Sequence, residues 1–462
     1  MEENVAVETI ESNAVIEKKD TINKVPRGFI PAWSSRSVSV AVNVVLFMQM
    51  TFYATDVVGL SAGLVGTLIL LSKIVEALSN FLVVFIDRTH TKFGKARPYE
   101  LFIIPLWILT IMLFSTPNWG MTGKAIYVFI LYTLVDCFCI TFLTGSDIIY
   151  LGRSLKGDVR RAKVLSGSGI IVTLFAAAIG ILLPILMGTW GKQPGGWTKI
   201  SLVLGVPFLI IGLIRFIFIK EIEEGRDAEQ QQQIPFKVAF KAMIKNKYIL
   251  ILAGAIFVQF VSGGMSAFST YYFNSIVGNL SMLSVIGIIG IISPFVLLFF
   301  PLAMRKIGAM NFVRGGIVLM VIGNGLKYFA GNNIGLLLVE NFIAAVGIIP
   351  LTMMVGIFTL QCMDYGEWKT GVRVESGLNA IVNFTNKIGT GLGSGLVGLI
   401  MGISGYVGTA HVQTASAKTA IVWGYSLIPA LLSVIMLVIL HFYDLDKKIG
   451  GIQEDIAARK AK

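Results

Sequence analysis

Twelve apolar stretches, most of them long enough to cross a bilayer, alternate with polar junctions along the 462-residue chain. A helix that spans the hydrocarbon needs about 20 mostly apolar residues. In hydrocarbon a backbone segment must satisfy its own hydrogen bonds, so each stretch is read as a helix. The pattern places them at 38–55, 60–86, 99–117, 125–152, 164–190, 198–219, 248–275, 281–303, 315–331, 333–363, 377–405 and 418–443. The chain is expected to be an all-α integral membrane protein, and a soluble reading is excluded.

The clear internal boundary is 220–247, KEIEEGRDAEQQQQIPFKVAFKAMIKNK. It divides the chain into a tail (1–37), a six-helix half (38–219), a central loop, a second six-helix half (248–443) and a tail (444–462). The acidic, Gln-rich start of the loop reads as a linker. The run IPFKVAFKAMIK repeats apolar residues at helical spacing with lysines between, which predicts an amphipathic helix on the membrane surface. A partner-recruiting helix is the alternative. Two six-helix halves around a long basic loop describe the major facilitator architecture, whose halves are pseudo-repeats with solute bound between them near the midplane. The loops at 87–98 and 301–311 each place a basic cluster before a Gly, although hydropathy supports the repeat more than their similarity does.

Charge adds topology. Only 14% of residues are charged, and 49 are glycine, which lets membrane helices approach closely. Of the 38 Lys and Arg, 30 fall in the two tails and the even-to-odd loops. The other junctions carry only Lys124, Lys192, Lys199 and Lys418, and Lys73, Arg215, Lys327 and Lys387 lie within spans. By the positive-inside rule both termini are expected in the cytoplasm, with the chain in the plasma (inner) membrane. The net charge of +12 therefore reports orientation in a lipid bilayer and not a nucleic-acid partner. Cys137, Cys139 and Cys362 lie in or beside spans and imply neither disulfides nor zinc. The first 37 residues lack an apolar core, so they are expected to be a cytoplasmic tail and not a cleaved signal.

Charged groups inside a membrane are functional hypotheses by default. Lys73, Glu76 and Asn80 share one helix face, with Ser79 beside them. A carboxylate with amide and hydroxyl neighbours can bind a proton or Na⁺; a self-neutralising Lys73–Glu76 pair is the plain alternative. Asp136 and Asp147 are eleven residues apart, close to three turns, and so are expected on nearly one face, with Thr144 a turn before Asp147. Such a carboxylate can accept paired sugar hydroxyls; for Asp147 the alternative is a pair with Arg153. Lys387 lies about 15 Å inside its span, with no counter-ion on its own helix, which points to Asp147 or Glu76 as its partner. Lys327 and Glu340 flank a short junction and are expected to form a structural pair at the outer surface. Tyr150, Tyr271 and Tyr272 are candidate stacking platforms for a sugar ring, with packing as the alternative. Trp33, Trp119, Trp190 and Trp197 sit at span ends, as interfacial belts require. No nucleophile–base pair, metal cluster or phosphate-binding loop is visible, so neither an enzyme nor a cofactor is expected.

The runs YATDVVGLSAGLVGTLILLSKIVEALSN, DRTHTKFGKARPYEL and DYGEWKTGVRVES, followed by Lys387 and Gly405–Tyr406, resemble the glycoside–pentoside–hexuronide:cation symporters across nearly the whole membrane domain. The resemblance implies a cation site in which two helix-2 carboxylates match Glu76 and Asn80, an intervening asparagine matches Ser79, and a helix-4 threonine matches Thr144. It implies a sugar-binding aspartate at Asp147 and carries the family's helix-11 lysine onto Lys387. A helix-1 aspartate that contacts sugar in some members falls at Val40, with Asn43 one turn away as a substitute. One carboxylate in place of two weakens Na⁺ coordination and leaves protonation of Glu76 feasible.

The expected function is therefore import of a glycoside, pentoside or hexuronide by proton- or cation-coupled symport with alternating access. Asp147, Asn43, Tyr150 and Lys387 would hold the sugar. Glu76, Ser79, Asn80, Thr144 and Lys73 would form the coupling site. A cytoplasmic gate would draw on Asp87, Arg88, Arg97, Asp364, Glu367 and Arg373. An uncoupled facilitator, or a carrier of an organic anion or lipid-like solute, is the alternative, and a membrane enzyme or sensor the remote one. A monomer is the family expectation. Replacing Glu76 with Gln is predicted to abolish uphill accumulation while sparing exchange, measured as counterflow against net uptake in vesicles.

Overall fold

In a computed structural model of the chain, the residues described are 25–79, 86, 89, 91–155, 157–221, 246–292, 295–296, 304, 306–370, 376–410 and 412–460. They form twelve apolar helical segments and one terminal helix. The first half holds α1 (Phe29–Val57), α2 (Ala62–Ser79), α3 (97–113), α4 (Met121–Ser154), α5 (Asp158–Thr189) and α6 (Gly196–Phe218). The second holds α7 (Lys247–Ser275), α8 (Leu280–Ile292), α9 (Ala309–Ala330), α10 (Ile334–Thr370), α11 (Ser376–Ile403) and α12 (415–441). The chain ends in α13 (Ile449–Lys460). Among the described residues, eight helices are long and apolar enough to cross a membrane.

Two departures from the apolar pattern have a physical cause. The first helix begins at Phe29, nine residues before the apolar run, because its polar residues are satisfied inside the protein. Ser34 and Ser35 donate back to the Ile30 and Ala32 carbonyls at 2.7 and 2.8 Å, and Arg36 is buried among carboxylates. The C-terminal tail is also helical: α13 lays Ile452 and Ile456 against the apolar cluster around Tyr443 and is pinned to α10 by Trp368–Asp455 (3.1 Å) and Gln453–Asp364 (2.9 Å). The amphipathic helix expected in the central loop lies outside the described residues.

The halves pack as the pseudo-repeat requires. Adding six to each helix number exchanges the halves and turns the α2–α11 contact into α8–α5, and both pairs pack. The α2–α11 crossing is a glycine seam. A Cβ added at Gly66 would lie 2.8 Å from the Gly398 Cα and 2.9 Å from the Gly395 carbonyl. Gly402 meets Gly63 at 3.0 Å, and Gly391 meets the Lys73 side chain. Only residues without a side chain permit this approach.

The seam runs toward the end of the bundle remote from the chain termini, here the distal end. There Thr55 meets Tyr271 (2.8 Å), the Tyr406 hydroxyl donates to Asp56 (2.6 Å), and Thr270 donates to Gln49 (2.8 Å), all between halves. One apolar core, including Phe52, Trp197, Tyr271 and Tyr406, crosses from half to half at this end. Nearer the termini the apolar clusters stay within one half, around Trp33 and Tyr150 in the first and around Tyr248 and Phe358 in the second. The molecule is closed distally. Gly398→Val is predicted to wedge the seam apart, at the cost of about 1–3 kcal/mol typical of overpacking; thermal unfolding of the purified variant in detergent would show a lower midpoint.

Candidate functional site

A cavity of about 440 Å³ lies between the halves, lined by α1, α2, α4, α7 and α11. Its polar wall is a chain of alternating charges. The Lys73 Nζ sits 2.7 Å from Glu76 Oε2 and 2.5 Å from Asp136 Oδ2, and the Lys387 Nζ lies 3.2 Å from Glu76 Oε1. The order Asp136–Lys73–Glu76–Lys387 links α4 and α2 of one half to α11 of the other. Two positive and two negative groups cancel, which lowers the cost of placing four charges within a membrane bundle. Asn386, Thr390 and Ser266 add neutral polar groups to the wall, and Phe47 and Tyr132, stacked at 4.7 Å, form an aromatic face.

The expectation for helix 4 needs correction. Asp136 and Asp147 do not share a face, because α4 runs as a π-helix over Leu134–Ile140. A π-turn takes in an extra residue, which shifts the register beyond it by about 100°. Asp136 consequently faces the cavity, whereas Asp147 turns into the first half. There it accepts hydrogen bonds from Arg36 and, at 2.7 Å, from Arg215. Glu100 completes the cluster, 3.4 Å from Arg36 Nε and 3.6 Å from Arg215 Nε. Arg36, Glu100 and Arg215 are buried, and the Arg215 guanidinium stacks 3.3 Å over the Trp33 ring. Asp147 therefore ties α1, α3, α4 and α6 together and is not placed to hold a solute in the cavity.

Asn43, Tyr150 and Thr144 are likewise held inside one half. Asn43 is buried and donates to Thr110 at 2.8 Å. Tyr150 donates to the Ile219 carbonyl at 2.7 Å. Thr144 bonds back to Ile140 on its own helix, and it is Thr141, one turn earlier, that meets Ser79 (3.1 Å). Tyr271 and Tyr272 belong to the closed distal packing, the latter donating to the Gly331 carbonyl at 2.7 Å. Lys387 does find Glu76, one of its two expected partners. Lys327 and Glu340 are not a surface pair, since both are buried.

Of the expected gate residues, Arg97 is bound to its own half through the Phe216 carbonyl (2.8 and 3.1 Å). Asp364 accepts from Gln453 of α13, and Glu367 lies in the part of α10 that α13 packs against. Asn80, Asp87, Arg88 and Arg373 lie outside the described residues. Two features had no place in the sequence reading. Glu221 accepts from the backbone of Lys95, Ala96 and Arg97 at 2.6–3.0 Å and from Arg153 at 2.9 Å, pinning the loop before α3. Asp56 is the distal clasp. Glu221 falls in a run read as linker, and Asp56 at a span end where water is the ordinary partner, so only their spatial neighbours reveal them.

Twelve helices in two related halves around a charged cavity define a major facilitator transporter. Residues 36–447 match the family described as MFS/sugar transport protein, and the chain belongs to that family, within the glycoside–pentoside–hexuronide group its motifs resemble. It is 28% identical over 426 residues to the isoprimeverose transporter of Lactiplantibacillus pentosus, covering 89% of this chain and 87% of that protein. It is 26% identical over 425 residues to a glucuronide carrier protein homolog of Escherichia coli (strain K12), covering 88% and 90%. The crystal structure of a bacterial homolog to human lysosomal transporter Spinster, inward-facing and occupied, superposes with a TM-score of 0.64 at 13% identity, covering 93% of this chain and 98% of that one. The protein is thus a multi-pass membrane transporter and not an enzyme.

Removing one partner of a buried ion cluster leaves the others uncompensated, typically at about 3–5 kcal/mol. Arg215→Met is predicted to reduce the yield of folded protein and lower its unfolding midpoint, as measured by fluorescence-detected size exclusion after heating.

Proposed function

We propose that the chain imports a glycoside, pentoside or hexuronide by proton-coupled symport. The observation that carries this reading is the Lys387–Glu76 contact, a charge pair across the two halves at the cavity wall. A solute that competes for either member changes how strongly the halves are held together, which is how binding can bias alternating access. Asp136 takes the sugar-binding role first expected of Asp147, because its carboxylate lies on the cavity and can accept paired hydroxyls. Glu76 serves as the proton-accepting group. Protonation would weaken its hold on both lysines, leaving Lys73 with Asp136 and allowing Lys387 to turn a hydrogen toward the solute.

Lys73 argues against sodium. Its ammonium lies between Glu76 and Asp136, where a bound cation would need to be. The sugar class rests on the family and on relatives named for isoprimeverose and glucuronide. With the termini in the cytoplasm, as the distribution of Lys and Arg supports, the closed distal end faces outward and this is an inward-facing state. A second reading, an uncoupled facilitator, is favoured by the same Lys73, which already neutralises the carboxylates without a co-substrate.

The test is uptake of labelled glycosides, pentoses and uronic acids into energised vesicles, with and without a proton or Na⁺ gradient. Accumulation of one sugar that collapses with the proton gradient is expected, and Asp136→Asn should abolish it in protein that still purifies folded. Equilibration without accumulation would establish the facilitator. Uptake of no sugar would overturn the reading in favour of an organic anion or lipid-like solute.

A further inference from the structure

The first half carries a groove that the transport cavity does not account for. It has a volume of about 670 Å³ and runs between the start of α1 and the facing parts of α5 and α6. Pro31, Ser34, Ser35 and Val38 of α1 line it at spacings of three and four, so they form one stripe along the helix. Pro31 and the two serines are short, which leaves the space between the helices open. The walls are Ile171 and Phe175 of α5 and Ile211 and Phe218 of α6. Phe175 and Phe218 are 43% and 72% exposed, and their neighbours Leu174 and Ile217 are 57% exposed. An apolar surface of this kind on a membrane bundle is the surface that meets lipid.

The interior of the groove asks for nothing polar, because the Ser34 and Ser35 hydroxyls already donate to the Ile30 and Ala32 carbonyls. Among the described residues, Arg27 is the one charged residue that lines it, exposed at its mouth and without an ion-pair partner. Arg27 sits in a turn made by Gly28, left-handed at φ 78°, and closed by the Phe29 amide on the Pro26 carbonyl at 3.1 Å. Two further cations lie at this level. α1 and α5 run in the same direction, and a Cβ added at Gly167 would come 3.0 Å from the Ile30 side chain. Lys163, about one turn before Gly167, is therefore level with the Arg27 turn, and it is exposed. Lys220 follows Ile219 at the mouth and is also exposed. The adjoining Glu221 is already bound by the loop before α3.

From Phe29 to Val38 the helix rises about 14 Å, close to one leaflet of a hydrocarbon core about 30 Å thick. An acyl chain fits such a groove because it brings no polar group with it. An extended peptide segment does not, since its N–H and C=O groups would be left unpaired at this depth. The 24 residues that precede Val25 also carry six acidic side chains, which belong in water. Positive charge at the mouth, with no carboxylate lining the groove among the described residues, favours an anionic headgroup over one that carries an amine.

We propose that the groove binds one anionic phospholipid from the leaflet on the side of the chain termini. One acyl chain lies along α1 between α5 and α6, and the phosphodiester meets Arg27 at the mouth. The opposite face of the same stretch of α1 carries Trp33 and Arg36, which pack into the buried ion cluster. Lipid in the groove thus steadies the helix start on which that cluster depends, whatever solute is carried.

The experiment is native mass spectrometry of the full chain released from micelles that contain equal amounts of phosphatidylglycerol and phosphatidylcholine with the same oleoyl chains. One phosphatidylglycerol is expected to be retained about tenfold more often than phosphatidylcholine, the scale of one charge-assisted hydrogen bond. Arg27→Gln should remove that preference. Pro31→Phe, which fills the groove from an exposed position, should lose the retained lipid. No preference in the unaltered protein, or a preference that survives either substitution, would overturn the site. Displacement of the lipid by glycerophosphoglycerol, the headgroup without its chains, would overturn the acyl groove in favour of a phosphate site. Binding of phosphatidylglycerol only after removal of residues 1–24 would make the chain's own tail the occupant and sink the proposal.

Discussion

Four charges held within a hydrocarbon-spanning bundle have to neutralise one another, and the chain Asp136–Lys73–Glu76–Lys387 is how this protein does it. The constraint acts beyond the cavity. It draws α4 and α2 together within the first half and α2 toward α11 across the halves. Because Glu76 is shared by two ammonium groups, anything that alters its charge alters both contacts at once. The groups a solute would meet are thus the groups that hold the two halves in register.

The glycine seam makes this link mechanical. From Gly63 and Gly402 at the distal end, the α2–α11 crossing continues through Gly66 and Gly398 to Gly391 against Lys73. The seam therefore ends at the charged chain. Backbones in contact along a helix pair cannot separate piecemeal, since packed interfaces shift between discrete arrangements. In the transport scheme proposed above, loss of the Lys387–Glu76 contact and opening of the distal end, where Asp56 and Tyr406 clasp the halves, would belong to one movement. The cluster of Arg36, Glu100, Asp147 and Arg215, buried except for Asp147 at its edge, is formed within the first half and ties α1, α3, α4 and α6 together.

Much of this was legible in the sequence, for reasons that can be traced to particular residues. Hydrocarbon imposes length and apolarity locally, so the twelve helices, their division into six and six, and the in-span lysines and acids could be read from the chain alone. The Lys73–Glu76 pair was also legible, because three residues on a helix is a local distance. Lys387 had to have a carboxylate from another helix, and Glu76 was one of the two candidates.

The tertiary structure decided which aspartate faces the cavity. Eleven residues of ideal helix put Asp136 and Asp147 on one side, and a π-helical turn over Leu134–Ile140 separates them. It decided likewise that Asn43 and Tyr150 belong to the interior of one half, and that α1 begins at Phe29 because Arg36 is neutralised by α3 and α4. Local sequence determines what must be buried in a membrane. Which buried groups meet depends on contacts between residues tens to hundreds of positions apart, and those are fixed only when the helices pack.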